Sequence, residues 1–104
     1  MDLKQRITAF AKLGQFLTDF LSKSQKTELQ LTDFEKLTEE FEAVIQTAYR
    51  QNAWFTPEHI KMALHSWSEA IQQTSLENWL DDYTIVNEEP KTIAVIMAGN
   101  LPLV

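Results

Sequence analysis

The chain has 104 residues, 44% hydrophobic and 11% aromatic, with two glycines and no cysteine. Fifteen acidic against nine basic side chains leave a formal charge of −6, which offers no footprint for a phosphate backbone and sets nucleic-acid binding aside. The missing thiols exclude disulfides, thiolate metal sites and a cysteine nucleophile within these residues, and the length confines them to one domain at most.

The opening MDLKQRITAF lacks the unbroken apolar stretch of a signal peptide, and no run approaches eighteen apolar residues. A membrane span is therefore not expected, and a cytoplasmic location is. Leu3, Ile7, Phe10, Gly14, Leu17 and Leu21 then recur at helical spacing. Leu13, Phe16 and Phe20 widen that stripe to about half the circumference, beyond the ~100° of a helix with one buried face. The spacing predicts a first helix over residues 3–22 that needs neighbours on two sides. Lys4, Thr8, Lys12, Gln15 and Asp19 form its solvated face.

Residues 22–31 (SKSQKTELQL) are polar and without period, and read as a connection. Thr32-Asp33-Phe34-Glu35 has the spacing of a capping box, in which the hydroxyl of Thr32 accepts from the Glu35 amide and the Glu35 carboxylate reaches back. The second helix follows, with Phe34, Leu37, Phe41, Val44, Ile45, Ala48 and Tyr49 on one face and Glu35, Glu39, Glu42, Gln46 and Arg50 on the other. After a break at residues 51–55, Thr56-Pro57 supplies an N-cap followed by proline at the first helical position. Phe55 and Ile60 have the spacing of a hydrophobic staple. The third helix is expected over residues 57–73, burying Ile60, Ala63, Leu64, Trp67 and Ile71. Thr74-x-x-Glu77 opens a short fourth helix over 76–81 with Leu76, Trp79 and Leu80 on its apolar side. Residues 83–86 read as a short strand, 87–90 as a turn, and 91–97 as a strand.

Glu35, Glu39 and Glu42 share a face, as a carboxylate metal site would require, yet neither histidine has a glutamate three residues before it and the cluster points away from the apolar stripe. A solvated face is the better reading. His59 and His65 are six apart and cannot chelate one ion from a single helix face, so both read as surface histidines. Tyr49, Trp54, Phe55, Trp67 and Trp79 make an aromatic-rich middle, read as core and interface packing and not as a base-stacking platform. Met62 projects opposite the buried stripe of its helix, toward something outside the chain.

The last thirteen residues, 92–104 (TIAVIMAGNLPLV), carry no charge. A continuous apolar run breaking into Gly-Asn-x-Pro reads as a strand buried on both faces and turning where a helix should begin. Such a strand belongs to a parallel sheet, whose crossover helices and further strands these residues do not supply. The expectation is the opening segment of a larger α/β protein. Asn100 then stands at the carboxyl end of a parallel strand, where open α/β sheets place ligands. A fixed Asn amide there can donate to a carbonyl oxyanion, a contribution of about 3–4 kcal/mol in hydrolases. The alternative is an Asn that closes a turn, as Gly-Asn pairs do, and spacing by itself favours that alternative.

KTIAVIMAGNLPLV resembles the segment at which the aldehyde dehydrogenase superfamily enters its nucleotide-binding domain, an apolar strand followed by Asn-x-Pro and two apolar residues. Its Ala-Gly-Asn form is similar to the LuxC-like long-chain acyl-CoA reductases, and QNAWFTPEHIKMALHSW resembles the helical region upstream in bacterial members. About fourteen residues carry the specific match and some twenty-five a looser one. The resemblance implies an oxidoreductase that uses NADPH or NADH to reduce a fatty acyl thioester to an aldehyde through a cysteine acyl-enzyme. It implies further that Asn100 is the catalytic oxyanion donor and that the backbone of Met97, Ala98 and Gly99 borders the nicotinamide. The nucleophilic cysteine, the cofactor-gripping elements and most of the acyl-binding surface are implied to lie beyond Val104, so no cofactor is expected on this chain alone.

The fold expected is mainly α, with three main helices, a short fourth and a C-terminal β-strand, as the N-terminal part of an aldehyde-dehydrogenase-like α/β fold. Residues 1–86 form the helical segment, and residues 87–104 the first strand and turn of an incomplete nucleotide-binding domain. No metal site is expected. An orphan strand and a wide apolar stripe predict self-association into a homodimer or higher oligomer. A competing reading is a small non-catalytic helical interaction module or gene remnant.

Overall fold

The computed structural model describes residues 1–22, 32–85 and 92–96. Within them the chain is mainly helical, with α1 at Leu3–Leu21, α2 at Thr32–Thr47, a 3₁₀ turn at Ala48–Arg50, α3 at Pro57–Ala70 and α4 at Gln73–Leu80.

The starts of α1 and α3 have local causes. At α1, Asp2 Oδ1 accepts from the Gln5 amide at 2.8 Å while Gln5 Oε1 accepts from the Asp2 amide at 2.9 Å, a reciprocal capping box that relieves two of the orphan donors. At α3, Thr56 Oγ1 accepts from the His59 amide at 3.3 Å and Pro57 takes the first helical position. The cap read for the Thr32 side chain and the connection over 23–31 lie outside the described residues.

α1 is the central element. It packs along α3 and against α4, while phenylalanine rings tie it to α2. Leu17 and Phe20 of α1, Ile45 of α2, Ile60 and Leu64 of α3, and Ile71 just after it form the buried core. Phe16, Leu21, Phe41, Ala48, Phe55 and Leu76 pack around it. Phe41 stands at 4.9 Å from the ring of Phe20 and 5.8 Å from that of Phe16, and Phe34 meets Phe16 edge-on at 5.6 Å. Such tilted ring pairs each add about 0.5–1.5 kcal/mol beyond the area they bury.

The expected boundary between the third and fourth helices is displaced. α3 ends at Ala70 instead of residue 73, and α4 starts at Gln73 behind Gln72, whose backbone is extended. The cause is tertiary. Ile71 leaves the helix to seat its side chain and carbonyl against Gly14, the one place on α1 where no side chain stands in the way. Ser75 Oγ then donates back to the Glu69 carbonyl at 3.1 Å, bridging the break that Thr74 was expected to cap.

The expected strands are not confirmed. Residues 83–85 form no strand, and residue 86 lies outside the described residues. No strand is present among the described residues, so the C-terminal strand expected over 91–97 is not formed at 92–96, where the backbone has no regular structure. A strand needs a ladder partner, and the described remainder of the chain is helix and short turns. The turn expected over 87–90 lies outside the described residues.

Several apolar faces remain open. Phe10 and Leu13 on α1 and Leu37, Val44 and Tyr49 along α2 and its 3₁₀ turn are exposed, although all belong to the predicted stripes. The aromatic-rich middle is not core: Trp54 is 68% exposed, Trp79 64% and Trp67 40%, and only Phe55 of that group packs on the core. Met62 points outward, as its position on α3 predicts.

Candidate functional site

The candidate catalytic residue Asn100 and the candidate cofactor-lining residues Met97, Ala98 and Gly99 lie outside the described residues. The apolar run leading to them is described at 92–96. Ile93 is 79% exposed and Val95 73%, and Ile96 is fully exposed, so neither side of this run rests on the helical core. Thr92, Ala94 and Ile96 alternate with Ile93 and Val95, which would put apolar side chains on both faces of an extended backbone.

Both histidines are on the surface beside polar neighbours. His65 Nδ1 stands 3.9 Å from Glu69 Oε2 one helical turn on, with both side chains about two-thirds exposed or more. His59 Nδ1 donates to the Trp54 carbonyl at 3.3 Å, which holds the ring over the turn that precedes α3. Asn52 Oδ1 accepts from the Trp54 amide at 3.0 Å and shapes the same turn. The two histidines are not brought together with a third ligand, and no group of three or more His, Cys, Asp or Glu suited to a metal ion occurs among the described residues.

The acidic face of α2 is solvated at Glu35 and Glu39, as expected, but Glu42 is not simply part of it. Lys61 Nζ of α3 donates to Glu42 Oε1 at 3.0 Å, and Gln46 Nε2 donates to the same oxygen at 2.9 Å. The helical spacing places Glu42 and Gln46 on the polar face of α2 and does not by itself show that Lys61 of α3 meets them. The available signal was their position, since Glu42 directly follows Phe41, which packs against the core, and Lys61 directly follows the core residue Ile60, so each flanks the helix contact. Ser68 is a second such omission: it is buried in α3, where its Oγ donates to the His65 carbonyl at 2.7 Å.

Compared with protein-family models, with curated proteins and with solved structures, the chain matches none. No helix among the described residues is long and apolar enough to cross a membrane. The chain contains two glycines, of which Gly14 serves helix packing, so it carries no glycine-rich phosphate loop of its own.

Proposed function

We propose that this chain is the N-terminal segment of an NAD(P)H-dependent acyl-CoA reductase of the LuxC-like branch of the aldehyde dehydrogenase superfamily. In the complete protein a cysteine thiolate from a later segment attacks the acyl thioester and releases the coenzyme A thiol. Hydride delivery to the acyl-enzyme then releases the aldehyde. The role of this chain is to place the Asn100 amide as a donor to the oxyanion formed at the carbonyl, with Met97, Ala98 and Gly99 bordering the cofactor. Alone it is inactive, because it has no thiol to form the acyl-enzyme.

One observation carries the reading: the uncharged run that ends in Ala-Gly-Asn-Leu-Pro resembles the family's strand and Asn-x-Pro turn. The exposure of Ile93, Val95 and Ile96 supports it, since burying a side chain of this size is worth about 1.5–3 kcal/mol and the helical core does not provide that burial. A first strand whose sheet is completed by later residues accounts for both.

The test uses the longer protein that this reading requires. Asn100→Ala is expected to slow acyl transfer by about 100- to 1,000-fold, the cost of one oxyanion donor, while circular dichroism and the unfolding midpoint stay unchanged. Near-wild-type turnover would remove the role given to Asn100. A stop codon at 105 would favour the second reading, a helical interaction module, which the exposed apolar residues of α1 and α2 also fit.

A further inference from the structure

We draw no further inference here: the strongest candidate, the apolar surface left open along α1 (Phe10, Leu13) and α2 (Leu37, Val44), is an unpartnered pair of helix faces, and nothing in the structure shows what covers it.

Discussion

A methyl group placed on Gly14 would lie 3.0 Å from Ile71 Cγ1 and 3.2 Å from the Ile71 carbonyl oxygen. Two effects oppose each other at this residue. Alanine improves helix propensity by about 1 kcal/mol over glycine, whereas crowding a packed contact costs about 1–3 kcal/mol. The carbonyl belongs to a backbone held by the Ile71 amide's bond to the Trp67 carbonyl, so it cannot swing aside as a side chain tip would. Gly14→Ala is therefore expected to lose about 1 kcal/mol in urea unfolding; a gain would show that the α3–α4 junction shifts without cost. Thr38 presents the opposite case. Its hydroxyl is buried in α2 with no hydrogen-bond partner among the described residues, and a buried unpaired polar group costs about 1–3 kcal/mol. Thr38→Val keeps the shape and removes that group. The unfolding midpoint should rise, and a drop of the same size would mean that the hydroxyl is satisfied.

Between elements, the contact of α2 with α3 combines core packing at Ile45, Ile60 and Leu64 with the Lys61–Glu42 ion pair. The pair spans 3.0 Å but its side chains retain 41% and 23% of their exposure. Water screens it, and exposed pairs of this kind contribute about 0.2–1 kcal/mol. A double-mutant cycle with Lys61→Gln and Glu42→Gln should return a coupling in that range that shrinks as salt is raised. A coupling of zero at low salt would leave apolar packing as the sole link. Glu42 also accepts from Gln46, so part of the single-substitution cost reports on α2 itself and only the cycle isolates the interhelix term. The helix ends belong to this scale as well. Asp2 and Gln5, the two ends of a four-residue capping pattern, start α1, and Thr56-Pro57 starts α3 as its spacing predicts.

At the scale of the molecule, the radius of gyration is 16.3 Å, against about 13 Å for a compact domain of this length. A small core and a set of open apolar faces go with that expanded shape. Residues 92–96 are the most exposed of these, and their alternation leaves no polar side to turn toward water. Self-association is expected for the isolated chain, opposed by the charge of −6 on each copy and therefore strengthened by salt. Light scattering across a salt series checks this: a mass that grows with salt agrees, and a compact monomer at every salt concentration rejects it. Replacing Ile93 and Val95 together by aspartate should weaken the association if the terminal run takes part.

The number and approximate limits of the helices were legible because their signals are local: apolar residues three and four apart, a Thr-Pro start, a polar break. The outward direction of Met62 and the solvated face of α1 followed from the same periodicity. The candidate site was legible only as a short pattern, the Ala-Gly-Asn-Leu-Pro sequence behind an apolar run. Tertiary structure decided the matters that local spacing leaves open. Both Leu17 and Leu37 sit on a predicted apolar stripe, yet one is buried and the other open, because burial depends on whether a second element arrives opposite. Ile71 ends α3 early because a gap on α1, fifty-seven residues away in sequence, receives it. Lys61 and Glu42 pair because α2 and α3 cross beside them. Periodicity states which face of an element is apolar, and only the packing of distant elements states which of those faces leaves water.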